Sequence, residues 1–205
     1  MLQTVSHQSD RQGPRPKSIA RQAGLARRDA LPEAKRSLWS EQIAEVTASV
    51  LASRQALDRL VVAIYAAKGS EVDTVGLDTR LRASGMTVGY PRVVEGDRRL
   101  MFHAATIGEL VAGRFGLREP LADAATAIEL ATLNAFVVPG VAFDREGHRV
   151  GWGRGHYDAT LASAAPGALR IGLAFECQLV EHVARDPHDI ALDIIITEVA
   201  TYTVA

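Results

Sequence analysis

The sequence predicts an α/β protein with a three-layer α/β/α architecture around a mostly parallel central sheet. Several short segments are apolar throughout, which is typical of strands that are buried on both faces. Helical segments separate these strands, as parallel neighbours require. The 205 residues contain 47% hydrophobic residues, which is enough for one domain with a real core.

The N-terminal region divides into a tail and a helical stretch. Residues 1–16 are polar, include Gly13, Pro14 and Pro16, and lack the apolar core of a signal peptide, so we predict a disordered tail. A single domain is predicted over residues 17–205. Its first part, from Lys17 to about Arg54, has a helical pattern that Pro32 divides into two helices.

The remaining elements follow from apolar runs and their flanking residues. Pro91 is expected to end the second strand, Glu71 to open the helix over 71–84, and 107–126 to form loop and short helix. Two further helices are predicted over YDATLASAA (157–165) and CQLVEHVA (177–184). Strands are predicted over LVVAIYAA (60–67), MTVGYP (86–91), RLMFHAAT (99–106), AFVVPGVAFD (135–144), LRIGLAF (169–175) and DIIIT (193–197), the last strand.

Charge and composition exclude several classes of protein. With 23 basic and 24 acidic residues the net charge is -1, which argues against general nucleic-acid binding. No apolar run is long enough to span a membrane. The lone cysteine, Cys177, forms neither an internal disulfide nor a cysteine-based metal site. We therefore expect a cytoplasmic protein without nucleic-acid or membrane partners.

The run RVGWGRGHYD (149–158) carries the strongest chemical signal. Gly151, Gly153 and Gly155 occupy every second position, and such glycines let backbone N–H groups approach an anion closely. The run also contains two arginines, which bind phosphate, and an aspartate, which is a ligand for a hard cation. Its spacing matches neither a Walker loop nor a Rossmann fingerprint. The residues alone thus predict a phosphate or metal-nucleotide site, against the alternative of a glycine-rich surface turn.

The same region resembles the signature of the 5-formyltetrahydrofolate cyclo-ligase family. In that family a Pro-Gly-x-x-Phe-Asp strand end precedes Gly-x-Arg-x-Gly-x-Gly-x-Gly-x-Tyr-Asp. His156 stands where many members have tyrosine, and Arg154 where others have lysine or glycine. The matching positions are Pro139, Gly140, Phe143, Asp144, Gly147, Arg149, Gly151, Gly153, Gly155, Tyr157 and Asp158.

Three further matches lie in the family's order along the chain. Lys17 and Arg21 keep the spacing of a basic pair on the N-terminal helix, with LARRDAL following. Tyr65-Ala66 and Glu71 resemble the family's pterin-side wall and folate-binding glutamate. In the C-terminal segment, Asp189 matches a metal-side aspartate. Taken alone, Lys17 and Arg21 are better explained as part of a solvated helix face and Glu71 as a first-turn helix acid. The alternative for Asp189 is an acid on a solvated loop.

The resemblance implies an enzyme that uses ATP and Mg²⁺. Its substrate would be 5-formyltetrahydrofolate, with or without additional glutamates, and its product 5,10-methenyltetrahydrofolate. The γ-phosphoryl group would activate the formyl oxygen, and N10 of the folate would then close the ring. A monomer is expected. Two alternatives remain at this stage: a non-catalytic folate- or nucleotide-binding relative, and an enzyme like the sugar-phosphate isomerases on a similar fold.

The resemblance also implies a role for each matching residue. Arg154 and Tyr157 would be catalytic, and Asp158 and Asp189 would hold the metal. Tyr65, Ala66, Glu71, Trp152 and His156 would bind the folate. ATP would be bound by Lys17, Arg21, Arg149, Gly151, Trp152, Gly153, Arg154, Gly155, His156 and Tyr157.

Overall fold

A computed structural model describes residues 16–54 and 60–204. The predicted tail lies outside the described residues, apart from Pro16, which is the first residue of a helix rather than part of the tail. The predicted division at Pro32 is confirmed, because one helix ends before it and the next begins after it. The α-helices of the described residues are α1 (Pro16–Asp29), α2 (Glu33–Ala52), α3 (Val75–Ala83) and α4 (His156–Leu161).

The predicted apolar runs contain the longer strands, whereas several short strands, such as Arg118–Glu119 and Thr201–Thr203, are polar. The long run over 135–144 forms two separate strands, because the chain leaves the sheet at Pro139-Gly140. The strands are β1 (Val61–Ala63), β2 (Thr87–Val93), β3 (Leu100–Ala104), β4 (Val111–Ala112), β5 (Arg118–Glu119), β6 (Ala127–Ile128), β7 (Ala135–Val138), β8 (Ala142–Phe143), β9 (Arg149–Val150), β10 (Leu169–Leu173), β11 (Ile194–Ile196) and β12 (Thr201–Thr203).

One large sheet organises the described part of the chain. Its eight strands lie in the order β12-β11-β10-β7-β1-β2-β3-β6. The neighbours from β11 to β2 all pair in parallel, whereas β12, β3 and β6 add antiparallel edges. The prediction of a mostly parallel central sheet is thereby confirmed. Two small hairpins, β4-β5 and β8-β9, lie outside this sheet.

The two faces of the sheet bury different sets of side chains. Val62 and Ile64 of the β1 region belong to one apolar cluster, with Leu77 of α3 and Ile43 of α2. Ala63, which lies between them in sequence, belongs to a second cluster on the opposite face. This alternation is the period of a strand, and it shows that both faces are covered. Phe143 of β8 and Leu161 of α4 contribute to the second cluster, so the architecture is three-layered.

Pro91 does not end the second strand, contrary to the prediction. It lies within β2, opposite Phe102 of β3. The pairing of β2 with β1 stops at Gly89, so one side of β2 is unpaired with β1 at Pro91. A proline is tolerated in a strand where no hydrogen bond to a neighbour is required on one side.

The predicted helix over 177–184 is also wrong. Only a short 3-10 turn, Glu176–Gln178, forms there. The segment is instead held by tertiary hydrogen bonds: the Gln178 amide donates to the carbonyls of Gly140 and Val141, and the Val183 N–H donates to Asp144. These contacts with the loop after β7 replace the helical hydrogen bonds that the apolar spacing suggested.

Two smaller differences concern element ends. The helix expected to open at Glu71 begins at Val75, so Glu71 lies in the preceding loop. DIIIT forms β11 but is not the last strand, because β12 follows and pairs with it antiparallel. Polar Thr201 and Thr203 hid this edge strand from a search for apolar runs.

The topology positions the site. β10, β7 and β1 are adjacent and parallel, so their carboxyl ends lie at one edge of the sheet. The loops that follow them contain the predicted site residues around 65–71, 139–158 and 174–189. Ligands of open α/β sheets bind beyond such strand ends.

Candidate active site

The glycine-rich loop connects β9 to α4. Gly153 has φ 89° and Gly155, which precedes α4, has φ 68°. Both values lie in the left-handed region, which glycine adopts without steric cost. The side chain of Arg21 approaches this loop so closely that a Cβ at Gly153 would lie 3.0 Å from its Nη2. Gly153 is therefore required both by backbone conformation and by the approach of Arg21.

Helix α1 brings Lys17 and Arg21 to the loops. Arg21 donates from Nε to the Gly151 carbonyl at 2.8 Å. Lys17 donates from Nζ to Asp186 Oδ2 at 2.7 Å and to Asp189 Oδ2 at 2.5 Å. Burial acts to lower the pKa of Lys17, but its hydrogen bonds to Asp186 and Asp189 outweigh burial and raise that pKa. A protonated Lys17 thus neutralises this acidic loop.

A buried ion pair holds the aspartate at the end of the run. Arg149 donates from Nη2 to Asp158 Oδ1 at 3.0 Å and from Nη1 to the Ile190 carbonyl at 2.9 Å. The Ile190 N–H donates to the same Asp158 oxygen at 3.2 Å. Only 4% of the Arg149 side chain is exposed, so this arginine lies on the protein side of Asp158 and fixes the orientation of its carboxylate. The same hydrogen bond places Asp158 next to Ile190, the residue that follows Asp189 in the chain.

The oxygen-rich loop fits a hard divalent cation. Ligand atoms of Asp186, His188 and Asp189 lie within 4.8 Å of one another. Carboxylate oxygens are the ligands that Mg²⁺ prefers, with water completing the octahedron. Burial raises the pKa of Asp189, but the hydrogen bond from Lys17 outweighs it and keeps that pKa below its ordinary value. Asp189 is therefore ionised, as a metal ligand must be.

Glu71 and Trp152 join the loop after β1 to the glycine-rich loop. The indole Nε1 of Trp152 donates to Glu71 Oε1 at 3.1 Å, and the Lys68 N–H donates to Glu71 Oε2 at 2.9 Å. Glu71 is buried, whereas Trp152 is half exposed. Ala66 and Glu71 line an open pocket of about 250 Å³. A carboxylate here can accept hydrogen bonds from the donor edge of a heterocycle.

Two tyrosines lie within electrostatic range of Glu71. Burial and then the charge of Glu71 raise the pKa of both Tyr65 and Tyr157 well above the ordinary value. Tyr65 is buried, and its hydroxyl donates to the Val72 carbonyl at 2.9 Å. Tyr65 thus shapes the pocket wall through the loop it braces, and the neutral phenol of Tyr157 is suited to donating a hydrogen bond.

Arg154 and His156 lie on the other side of the loop. The Arg154 guanidinium lies over the Phe115 ring at 3.5 Å from its centroid. His156 Nδ1 is 2.8 Å from the Arg98 carbonyl oxygen. Both residues line a second open pocket, of about 450 Å³. The predicted site residues therefore divide into a group toward α1 and the metal loop, a group at Glu71, and a group at this pocket.

Sequence reasoning missed the buried polar residues that support the site. Asp144 is fully buried and accepts hydrogen bonds from the N–H groups of Glu146, His148 and Val183. Arg28 is buried and donates to Ser70 and to the Gly140 carbonyl. Arg28 belongs to the LARRDAL stretch and Asp144 to the Phe-Asp motif, so the sequence marked both residues as part of the family pattern. The pattern did not indicate that they support the loops from the buried side.

Solved structures with the same fold identify the class of protein. An NMR structure of Aquifex aeolicus 5,10-methenyltetrahydrofolate synthetase superimposes with a TM-score of 0.77 over 92% of both chains, at 28% identity. A 5,10-methenyltetrahydrofolate synthetase from Mycoplasma pneumoniae shares the fold with a TM-score of 0.72 at 24% identity, over 89% of this chain and 98% of the other. The architecture is thus that of the known cyclo-ligases.

Sequence comparisons give the family. A model of the 5-formyltetrahydrofolate cyclo-ligase family matches residues 15–198. The 5-formyltetrahydrofolate cyclo-ligase of Mycolicibacterium smegmatis is 35% identical over 189 residues, which cover 90% of this chain and 94% of the relative. The protein of the same name from Escherichia coli K12 is 32% identical over 66% of this chain and 76% of the relative. This chain belongs to the 5-formyltetrahydrofolate cyclo-ligase family, and it is a ligase of one-carbon metabolism.

None of the described helices combines the length and apolar character needed to cross a membrane.

Proposed function

We propose that this protein converts 5-formyltetrahydrofolate into 5,10-methenyltetrahydrofolate at the expense of MgATP. The observation that carries the proposal is that one short loop contacts two chemically different groups. Its Gly151 accepts a hydrogen bond from Arg21 beside the Lys17–Asp189 pair, and its Trp152 donates to Glu71. The loop can therefore bring a phosphate-bearing ligand and a heterocycle together.

The reaction needs an activated formyl group. The formamide oxygen at N5 is a poor leaving group, and transfer of the γ-phosphoryl group to it turns it into a good one. N10 of the same folate then attacks the formyl carbon and loses its proton, and the C–O bond breaks with its electron pair leaving on phosphate. Because attack is intramolecular, holding N10 in position supplies much of the acceleration.

The protein contributes positioning and charge. In our proposal Lys17, Arg21 and Arg154 bind the phosphates together with the N–H groups around Gly151, Gly153 and Gly155. Arg149 contributes by holding Asp158. The neutral phenol of Tyr157 donates a hydrogen bond at the reacting centre, as its raised pKa permits. Arg154 and Tyr157 are the catalytic residues of this scheme.

Asp158 and Asp189 would hold Mg²⁺, partly through water. When bound, the ion neutralises phosphate charge during the transfer. Lys17 contacts Asp189 directly, so the residue proposed to bind phosphate and the residue proposed to bind the ion are neighbours in one charge cluster.

The folate would occupy the pocket at Glu71. Ala66 lines this pocket and the buried Tyr65 braces the loop beside it, Glu71 accepts hydrogen bonds from the pterin, and Trp152 and His156 lie at the junction with the nucleotide. The Trp152–Glu71 contact would open or rearrange as the pterin enters, because the pterin needs the oxygen that Trp152 occupies.

The decisive experiment mixes the purified protein with 5-formyltetrahydrofolate and MgATP. We expect the absorbance of the methenyl product to appear together with ADP and phosphate, and to require both ATP and Mg²⁺. Reactions without ATP and without Mg²⁺ are the controls. Tight folate binding with no ATP consumption would contradict the proposal and favour a non-catalytic relative.

A further inference from the structure

Arg28 carries a buried charge that the mechanism above does not use. Only 2% of this residue is exposed, and a guanidinium is not deprotonated in proteins. Buried charges are normally paired with an opposite charge. In the part of the chain that the structure describes, no carboxylate forms an ion pair with Arg28. The position of this charge therefore requires an explanation other than a salt bridge.

The hydrogen bonds of Arg28 connect two loops at the edge of the sheet where the site lies. Its Nε donates to Ser70 Oγ at 2.9 Å, in the loop after β1, and its Nη1 donates to the Gly140 carbonyl at 3.3 Å, in the loop after β7. Because the guanidinium is planar and rigid, these two donors hold the loops at a set separation. Arg28 lies in the last turn of α1, so one side chain ties this helix to both loops.

The Gly140 end of this connection is fixed independently of Arg28. The Gly140 carbonyl also accepts a hydrogen bond at 3.0 Å from the amide of Gln178, which is buried. The Phe143 ring packs so closely here that a Cβ at Gly140 would lie 2.4 Å from its Cζ. The effect of Arg28 should therefore be felt mainly at the Ser70 end.

The Ser70 end carries the carboxylate that we propose to bind the pterin. Ser70 directly precedes Glu71, whose Oε2 accepts a hydrogen bond from the Lys68 N–H at 2.9 Å within the same turn. The residue after Glu71 is held from elsewhere, since the Tyr65 hydroxyl donates to the Val72 carbonyl at 2.9 Å. The bond from the buried guanidinium to Ser70 holds the other side of the turn.

Arg28 and Glu71 also carry opposite charges at buried positions. Burial raises the pKa of Tyr65 most, the charge of Glu71 raises it further, and the charge of Arg28 lowers it, so both charges act on one phenol. Asp29 is the other acid that balances Arg28, through the Ser70 hydroxyl that donates to it. Asp29 is exposed and screened by water, whereas Glu71 is buried. Glu71 therefore depends on the charge of Arg28 more than Asp29 does.

We propose that Arg28 is a positioning residue for the folate, which acts through Ser70 to hold the Glu71 carboxylate in place and to balance its charge. This inference rests on the proposed function. A carboxylate that receives the donor edge of a pterin must present its oxygens at fixed positions, and a small displacement weakens the hydrogen bonds. Loss of the Arg28–Ser70 contact should therefore lower the affinity for folate. It should spare the nucleotide, because Lys17 and Arg21 reach the site from the N-terminal half of α1.

The alternative is that Arg28 only stabilises the packing of α1. Substitutions would then displace the whole helix and, with it, Lys17 and Arg21. In that case the affinity for MgATP would fall at least as much as the affinity for folate. The two explanations thus predict different responses to the two ligands.

The test uses titration calorimetry of the purified protein with 5-formyltetrahydrofolate and, separately, with MgATP. Ser70→Ala removes the acceptor and leaves the buried charge in place, and it should weaken folate binding by about fivefold. Arg28→Lys keeps the charge but loses the planar fork, and it should weaken folate binding by about tenfold. Both variants should bind MgATP within twofold of the wild type. If Arg28→Lys does not fold, Ser70→Ala alone decides.

Arg27→Gln is the matched control. Arg27 is the neighbour of Arg28 in α1 and also donates to a carbonyl, that of Cys177, but its side chain is exposed and does not contact the turn at Glu71. Its substitution should leave the affinities for folate and for MgATP unchanged.

A double-mutant cycle asks whether the contact acts through Glu71. In a Glu71→Ala background no carboxylate remains to be positioned, so Ser70→Ala should change the affinity for folate by less than twofold. A general effect on packing would instead produce the same fivefold loss in both backgrounds.

The inference would be overturned by an unchanged affinity for folate in Ser70→Ala, or by equal losses of affinity for folate and MgATP. An equal loss in the presence and absence of Glu71 would also overturn it. Failure of the proposed function is distinguishable, because the wild type would then bind no 5-formyltetrahydrofolate or form no methenyl product. Failure of this inference alone leaves both properties of the wild type intact.

Discussion

The Arg149–Asp158 pair shows how one residue of the candidate site fixes the orientation of another. Asp158 Oδ1 accepts hydrogen bonds from Arg149 and from the Ile190 N–H. An aspartate held in this way has a fixed orientation, and its charge is balanced by a guanidinium that is itself nearly enclosed. The sequence indicated that both residues belong to a site. It could not indicate that Arg149 acts through Asp158, because that depends on where residue 190 lies in space.

Two substitutions at Asp158 should have separable effects. In Asp158→Asn the amide oxygen still accepts both hydrogen bonds, so the fold should persist, but the lost charge should reduce turnover by at least about 100-fold. Asp158→Ala also leaves the buried Arg149 charge without its carboxylate partner, which should cost about 3 kcal/mol or more of unfolding free energy. Urea unfolding and the methenyl assay measure the two effects. An Asn variant with near-normal turnover would contradict the proposal that Asp158 is a metal ligand.

At the scale of elements, helix α1 carries both Lys17 and Arg21, so its position determines where these two side chains lie. It lies against the β8-β9 hairpin, and Gly24 lies close to Val141 at the start of that hairpin. A Cβ at Gly24 would lie 2.5 Å from the Val141 carbonyl oxygen. The packing of α1 thus fixes how far its two basic side chains reach into the site.

Gly24→Ala should therefore displace α1. Overpacking against a backbone carbonyl should lower the unfolding free energy by about 1–3 kcal/mol. The KM for ATP should rise as well, because Lys17 and Arg21 move with the helix. Gly108→Ala is the control, since its Cβ would meet only the Thr106 hydroxyl, at 3.9 Å. If stability and the KM for ATP both matched the wild type, α1 would not be seated on Val141 as described.

Elements were predictable where local pattern and tertiary role agree. The central strands are apolar because both faces are buried, and their sequences show it directly. Residues 177–184 have a helical pattern, but Gln178 is bonded to the loop after β7 and Val183 to Asp144 after β8, which the pattern does not encode. The prediction that Pro91 ends β2 was wrong for a related reason. A proline is tolerated within the strand here because the pairing with β1 stops at Gly89, which the local sequence does not show. Local signals fail where a partner distant in sequence decides.

The whole molecule is organised so that three loops meet. Because β10, β7 and β1 are parallel neighbours, residues more than a hundred positions apart, such as Glu71 and Asp189, follow the same edge of one sheet. The prediction that these residues form one site followed from a motif and from the rule for strand ends. The prediction did not extend to the β2-β3 turn and the loop around Phe115, because their placement depends on the folded loops.

The buried tyrosines give the whole molecule a characteristic response to alkali. Burial raises the pKa of Tyr65, Tyr90 and Tyr157, and burial is the largest influence on each. Each phenol must remain neutral in the folded protein, whereas in the unfolded chain it ionises near pH 10. Their contribution to stability is therefore complete below about pH 10 and declines above it, because only the unfolded state releases the protons.

We expect the free energy of unfolding to fall by about 1.4 kcal/mol at pH 11 for each of the two buried tyrosines, Tyr65 and Tyr90. Urea unfolding at pH 8, 10 and 11 measures this decline. Tyr90→Phe removes one ionisable group from the unfolded state, so its stability should decline less steeply than that of the wild type. Apart from the signal of the more accessible Tyr202, phenolate absorbance should rise only as the protein unfolds. An identical decline in the Phe variant would show that Tyr90 is accessible to ionisation, contrary to its burial.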